Sequence, residues 1–412
     1  MFNRDLEATL REYTRFPVVA ILGPRQSGKT TLAIKTFKNY QYTSLEDSKT
    51  REIAEEDPEK FLRLHENEHG IIIDEFQNVP KILSYIQLEV DKKKRPGYFV
   101  LTGSQNFLMN QAISQSLAGR VGILTLLPLS MSEMSENNLI HEKTSSNNTT
   151  PEGKTTSVDN VIFNGFYPRI YSESFPPTQL YPSYIQTYVE RDVRQLSNVG
   201  DLNTFKKFVK LCAGRVGQLL NLSELANACG MSMPTMQRWI SILEASYIIF
   251  LLQPYANNFS RRIIRHPKIY FYDTGLLCNL LDIESPDRLT IDRSHGSIFE
   301  NFIIADLYKQ YFNFGKQPPI YFWRDKNGAI EVDCIVDEGR KLFPIEIKSG
   351  ESVALDFFTN LKKWNALAHA AAIPLGKSYI IYGGDKSQGW EDWATIGWKD
   401  IGLLVKQLKG NL

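Results

Sequence analysis

An apolar run, Phe16-Pro-Val-Val-Ala-Ile-Leu22, ends at Gly23; four residues later comes Gly28-Lys29-Thr30, then the helix-forming Thr31-Leu32-Ala33. That order confines the chain to a buried strand, a tight glycine loop and a helix start in succession. It has the spacing of a phosphate-binding Walker A loop. The loop Gly23, Pro24, Arg25, Gln26, Ser27, Gly28 is expected to wrap phosphate oxygens with its backbone N–H groups. Lys29 would reach the terminal phosphates, Thr30 would hold Mg²⁺, and Thr31 would continue the helix whose positive end faces the anion. Chance glycines after a strand are the competing explanation, and the flanking strand and helix weigh against it. The cofactors expected are ATP and Mg²⁺.

His69-Gly-Ile-Ile-Ile-Asp74-Glu75 has the form of a Walker B strand, an apolar strand ending in two acids. Carboxylates at the end of a buried parallel strand are costly without a cation or partner. Asp74 on the metal and Glu75 on an attacking water supply the reason. A third apolar run, Tyr98-Phe-Val-Leu101, leads to Thr102 and Ser104, which sense the γ-phosphate, orient the attacking water or make an ordinary turn. Arg120, at a helix end before another strand, either contacts a γ-phosphate in cis or across a subunit interface, or balances a helix dipole.

The 412 residues, 42% apolar and 12% aromatic, suffice for two to four domains with sizeable cores. No apolar run approaches a bilayer span and the first residues lack a signal-peptide pattern, so the expected location is the cytoplasm, with no membrane partner. Cys212, Cys229, Cys278 and Cys334 show no paired spacing, which points to buried apolar roles rather than disulfides or zinc. Formal charge is only +1, so no whole-chain argument for nucleic acid exists. Between Thr204 and Lys268, however, nine Lys or Arg face two Glu, an excess suited to phosphate contacts.

Residues 1–134 alternate strands with helical periodicity, the pattern of a parallel sheet covered by helices. Residues 135–160 are polar and read as a surface loop or disordered insertion. Residues 161–203 read as a helical lid in which Glu190, Arg191, Asp192 and Arg194 form an ion-pair network or bring an arginine to nucleotide. Residues 204–268 have helix-turn-helix punctuation: Ser223 as first cap, Gly230 at the turn, Ser232 and Pro234 opening the second helix. Strands and a basic wing around Arg261 and Arg262 would complete a winged variant. Thr235, Gln237 and Arg238 are the candidates for DNA contact, unless the module serves only for packing.

In residues 269–412, His295 to Leu307 reads as an amphipathic helix carrying Glu300. Ile330-Glu-Val-Asp-Cys-Ile-Val336 and Leu342-Phe-Pro-Ile-Glu-Ile-Lys348 read as strands folded about Gly339. That hairpin sets Asp333 opposite Glu346 to Lys348, and Glu346 and Lys348 share a face. Asp333 and Glu346 could hold a divalent cation while Lys348 steadies charge on an attacked phosphate, the chemistry of phosphodiester cleavage. A solvent-facing hairpin of alternating charge is the plainer explanation.

Taken together, Gly23 to Leu32, Ile73-Asp-Glu75, Leu101-Thr-Gly-Ser104, Leu117-Ala-Gly-Arg120, Tyr188 to Arg194, Tyr321-Phe-Trp-Arg324, Glu331-Val-Asp333 and Pro344-Ile-Glu-Ile-Lys348 resemble prokaryotic AAA+-type ATPases with a C-terminal domain of unknown function similar to PD-(D/E)xK nucleases. Val332 stands where the proline of that pattern's name would be, and the 135–160 insertion is longer than usual. The resemblance implies an α/β chain: a P-loop NTPase (AAA+-like) parallel-sheet domain, a helical and winged-helix middle, and a restriction-endonuclease-like α/β domain. It also implies that Lys29, Thr30, Asp74 and Glu75 serve ATP hydrolysis and that Glu300, Asp333, Glu346 and Lys348 form the nuclease set. The expected activity is ATP hydrolysis coupled to action on DNA, with a metal-dependent nuclease activity or, alternatively, an ATP-gated binding switch whose nuclease-like domain is inactive. A homo-oligomer fits either.

Overall fold

The computed structural model describes residues 1–104, 113, 116–140, 156–188, 202–255, 266–325 and 327–410, in two compact units. Glu190, Arg191, Asp192, Arg194, Arg261 and Arg262 lie outside the described residues.

The first unit comprises Met1–Leu129 with Ile242–Ile248 and Phe312–Lys316. Its strands are β1 (Val18–Gly23), β2 (Gln41–Ser44), β3 (Ile71–Asp74), β4 (Phe99–Ser104) and β5 (Val121–Thr125). They lie in the order β2-β3-β4-β1-β5 with every pair parallel. Every residue of β1 and β3 is buried, because helices cover both faces. Alternate residues serve the two faces. Val19 and Ile21 meet Leu6 and Leu10 of helix Leu6–Tyr13 and Leu32 and Ala33 of helix Lys29–Thr36. Val18, Ala20 and Leu22 join Phe61, Ile82 and Ile86 on the other side. Burial of each such Val, Leu or Ile contributes about 1.5–3 kcal/mol. Since β4 lies between β1 and β3, the three C-terminal strand ends form one edge, with Gly23 beside Ser104 and Asp74 beside Thr102.

The second unit contains Ser130–Ser241, Ile249–Tyr311 and Gln317–Leu412. Its helical part includes Val158–Asn164, Pro177–Tyr188, Leu202–Ala213, Leu222–Cys229 and Met233–Ala245, followed by an antiparallel hairpin of β6 (Ile249–Leu252) and β7 (Lys268–Phe271). The polar stretch 135–160 ends in helix Val158–Asn164, which Ser157 caps, and which buries Val161 and Ile162.

Helix Leu222–Cys229 is not capped by Ser223 as expected. Asn221 caps it, its Oδ1 accepting from the Glu224 N–H at 3.2 Å and from Ser223 Oγ at 2.7 Å. The cap needs an extended backbone just before the first turn, which Asn221 has, whereas Ser223 already lies inside that turn. Ser232 does open the second helix, accepting from the Thr235 N–H at 3.3 Å.

Helix His295–Asn313 then leads into β8 (Ile320–Arg324), β9 (Glu331–Asp337), β10 (Leu342–Lys348), β11 (Ser378–Tyr382), β12 (Gln388–Gly389) and β13 (Trp393–Gly397). The sheet order is β12-β13-β11-β10-β9-β8: β8, β9 and β10 are antiparallel, and β10, β11 and β13 parallel. Helix Thr359–Ala370 makes the crossover from β10 to β11, packing Leu361, Trp364 and Ala368 on Val332, Ile335, Leu342 and Ile380. Among the described residues, no helix is long and apolar enough to cross a membrane. Cys212, Cys278 and Cys334 are buried thiols and Cys229 is half-buried.

Candidate functional site

At the C-terminal edge of the first unit's sheet, β1 turns into its loop through Gly23 at φ +151°, where a Cβ would stand 2.1 Å from the Leu126 carbonyl oxygen. Gly28 has φ +93° and starts helix Lys29–Thr36. Lys29 is 6% exposed, and its Nζ donates to the carbonyls of Gly23 at 3.1 Å and Pro24 at 2.7 Å. These carbonyls hold the ammonium over the loop's mouth. Ser27 is fully buried, its Oγ donating to the Pro24 carbonyl at 3.0 Å.

Asp74 is drawn to the same place. Its Oδ1 accepts from Thr30 Oγ1 at 2.8 Å and from Thr102 Oγ1, and its Oδ2 from Tyr42 at 3.2 Å. Thr30 and Asp74 thus present hard oxygen donors side by side at the start of the helix, a set that fits Mg²⁺. Glu75 follows in the left-handed region at φ +53°, uncommon for a residue with a side chain. It is tied through Gln77 Nε2, which donates to both Glu75 Oε2 and Ser104 Oγ. Burial raises the Glu75 pKa despite the opposing charges of Lys29 and Arg25. Thr102 and Ser104 are therefore strand residues, not a turn: Thr102 donates to Asp74, and Ser104 accepts from Gln77, which also holds Glu75.

Arg120 is elsewhere. Its carbonyl accepts from the Val18 N–H, and Val121 pairs with Val18 at the N-terminal end of β1. The loop lies at the other end, five residues or about 17 Å away. The guanidinium makes a fork to Asp91, at 2.7 and 2.9 Å. This corrects the expectation of a cis contact with nucleotide, because a parallel sheet separates its two edges by the length of its strands. Sequence reasoning missed Arg4, Tyr42 and Gln77; only Gln77, two residues beyond Glu75, had a positional signal.

In the second unit, Gln237 and Arg238 are exposed on helix Met233–Ala245, with Thr235 half-buried, while Met236, Trp239 and Leu243 turn inward. Among the described residues, part of the surrounding basic excess is already paired or buried. Lys210 is paired with Asp282, Arg215 with Glu224, and Lys268 is 3% exposed.

Lys268 instead enters a carboxylate cluster. Its Nζ lies 2.6 Å from Glu331 Oε1 and 3.4 Å from Glu300 Oε1, and Tyr270, on the same face of β7, donates to Glu300. Register places Cys334 beside Ile345, hence Asp333 beside Glu346, and Asp333 Oδ2 accepts from the Ile347 N–H at 2.8 Å. Lys348 donates to Glu346 Oε1 at 2.7 Å and lies 4.0 Å from Asp333. Glu300, Asp333, Glu346 and Lys348 are thus brought together, with Glu331, Lys268 and Tyr270 added.

Glu346 is 3% exposed and its Oε2 makes no hydrogen bond among the described residues. Burial, then the neighbouring Asp333, push its pKa up to about 8; burial pushes Glu300 up to about 7 against the pull of Lys268. Burial likewise raises Asp333. Burial works against the charge on Lys268, but Glu300, Asp333 and Glu331 outweigh it and keep the ammonium protonated. An orphaned buried carboxylate oxygen beside Asp333 fits a hard divalent cation completed by water. Among the described residues, no three His, Cys, Asp or Glu side chains form a ready-made metal cage.

Comparison with known proteins bears on the domains that carry these sites. Residues 15–135 match the family described as AAA domain. Residues 155–287 and 295–401 match two further families, each described as a domain of unknown function. An uncharacterized protein of Mycobacterium tuberculosis is 29% identical over 350 residues, covering 84% of this chain and 74% of the relative. An uncharacterized protein of Haemophilus influenzae is 21% identical over 292 residues, covering 63% of this chain and 68% of the relative. Among solved structures, a Walker-type ATPase of Pyrococcus abyssi aligns with a TM-score of 0.40 and 14% identity over 68% of this chain and 96% of that one. The chain thus carries an AAA-type ATPase domain, in an α/β fold with a parallel P-loop sheet, a helical middle and a C-terminal mixed sheet.

Proposed function

We propose that the chain binds and hydrolyses ATP at the Gly23–Thr30 loop and couples the nucleotide state to action on DNA. The observation that carries the first half is the 2.8 Å approach of Thr30 Oγ1 to Asp74 Oδ1. Phosphates would take the loop N–H groups and the Lys29 ammonium, which exchanges two carbonyl acceptors for a charged one. Thr30 and Asp74 would hold Mg²⁺, which neutralises phosphate charge when bound. Glu75, its basicity increased by burial, accepts a proton from the attacking water, and Gln77 and Ser104 fix its direction. Replacement of Lys29 by Ala is expected to abolish ATP turnover in a phosphate-release assay. Turnover surviving that change would sink the assignment.

DNA as the object of this cycle is supported by exposed Gln237 and Arg238 on the second helix of a helix-turn-helix pair, with Thr235 at its start. The carboxylate cluster supports cleavage: Asp333 and Glu346 would hold a divalent cation, and Lys348 would steady charge on the attacked phosphate. A second reading, an ATP-gated binding switch with a catalytically silent cluster, is favoured by the lysines already bound to Glu300, Glu331 and Glu346. Supercoiled DNA with Mg²⁺ or Mn²⁺, with and without ATP, decides between them. Nicking lost in Asp333→Ala supports the nuclease, and DNA-stimulated hydrolysis without nicking supports the switch.

A further inference from the structure

Arg4 is 8% exposed and stands upstream of the first helix, far in sequence from any recognisable motif. Its Nη1 donates to the Ser27 carbonyl at 2.7 Å and its Nη2 to the Leu127 carbonyl at 2.6 Å. One guanidinium therefore ties the phosphate loop to the chain just beyond β5. Helix Leu6–Tyr13 fixes the clasp: Leu6 and Leu10 are fully buried against β1 and helix Lys29–Thr36. Lys35 of that helix bonds back to Asn3 at 2.9 Å and Glu7 at 3.3 Å.

The consequence lies in one peptide plane. The Ser27 carbonyl and the Gly28 N–H belong to the same trans peptide, so the two groups point in opposite directions. A charged donor that captures the carbonyl on one side turns the N–H to the other. Gly28, without a Cβ and at φ +93°, does not hold that plane by itself, because glycine backbones visit many orientations. Nor does the fully buried Ser27 do so, since its hydroxyl is committed to Pro24.

We infer that Arg4 is a positioning residue for the nucleotide: by holding the Ser27 carbonyl it presents the Gly28 N–H to phosphate, and it makes the N-terminal segment part of the phosphate site. This rests on the P-loop reading above. Arg4 touches no phosphate in this scheme; its action passes through the backbone.

The test is binding of a fluorescent ADP to the full chain, with the unfolding midpoint measured with and without ADP. Wild type, Lys29→Ala, Arg4→Ala and Arg4→Lys are compared. Loss of one oriented donor to a charged phosphate is expected to weaken ADP binding about tenfold to a hundredfold in Arg4→Ala. The ADP-induced rise in midpoint should shrink accordingly, and KM for ATP should rise more than kcat falls. Arg4→Lys keeps the charge on a single ammonium, and its affinity should fall between the two. If Arg4 only braces the fold, Arg4→Ala lowers the midpoint equally with and without ADP and binds ADP as wild type does, which overturns the inference. Should Arg4→Ala fail to fold, Arg4→Lys decides, with wild-type ADP affinity as the overturning result. Absence of ADP binding in wild type itself would instead refute the P-loop reading.

Discussion

The phosphate loop and the C-terminal cluster manage charge in opposite ways. The first uses backbone amides, hydroxyls and a lysine resting on two carbonyls, so it is short of negative charge. The second gathers the buried Glu346 with the half-buried Glu300, Asp333 and Glu331, and answers them with Lys268 and Lys348. Burial costs a carboxylate far more than an amide unless a cation is present, so the second site has had to import its own. An anion site can wait for its ligand; a carboxylate site must be partly neutralised to fold at all.

Substitution of Glu75, beside the phosphate loop, should give the largest effect and leave stability almost untouched. Glu75→Gln is expected to lower ATP turnover by about 10²- to 10⁴-fold with nucleotide binding retained, read by phosphate release beside equilibrium binding. If binding is lost as well, Glu75 shapes the loop rather than handling a proton.

The reverse holds for the cluster's resident cation. Lys268→Met leaves the half-buried Glu300 and Glu331 without their ammonium, at a cost of up to about 3 kcal/mol in chemical denaturation, the low end of what breaking a buried pair costs. Adding Glu300→Gln and Glu331→Gln should restore much of that loss, since an unpaired charge and not a missing contact causes it. A Lys268→Met protein as stable as wild type would break the comparison, making the cluster tolerant of net negative charge.

Proton uptake sharpens the same contrast. The Glu300 and Glu346 pKa values lie above their ordinary 4.5, at about 7 and about 8. Between those limits the folded chain binds more protons than the unfolded one, so these groups make stability fall as pH rises from about 4.5 to about 8. Glu346→Gln should flatten the upper part of that slope. A slope unchanged in Glu346→Gln would assign the titration to other groups.

The two sites also differ in how they could be read from sequence. Gly23 to Thr30 is contiguous, its spacing imposed by one loop, and Asp74-Glu75 ends an unmistakable buried strand, so both were legible. That Asp333 falls opposite Glu346 to Lys348 followed from a turn at Gly339 and strand periodicity, while its pairing with Glu346 came from the register of the structure. Lys268 was legible only as a positive charge, and counting placed it in a DNA-facing patch, because its partners Glu300 and Glu331 lie 32 and 63 residues away in the chain. Arg4 was invisible for the same reason: its partners are backbone carbonyls at Ser27 and Leu127, which carry no sequence signature. Ser223 failed as a cap by two positions, within the ordinary uncertainty of helix ends.

Arg120 gives the smallest expected effect and the clearest check on sheet polarity. A sequence motif places an arginine near an ATPase core, but β1 and β5 run parallel, so the residue preceding β5 lies with the start of β1 and away from Gly23. Its fork to Asp91 is solvent-exposed, where ion pairs contribute little to stability. Arg120→Ala should therefore leave the unfolding midpoint unchanged and, in dilute protein, leave ATP turnover within about twofold of wild type. A collapse of turnover independent of protein concentration would mean that the phosphate site draws on the far edge of its own sheet. A collapse appearing only as concentration rises would bring in Arg120 from a second copy of the chain, and the phosphate site would no longer be built from one chain.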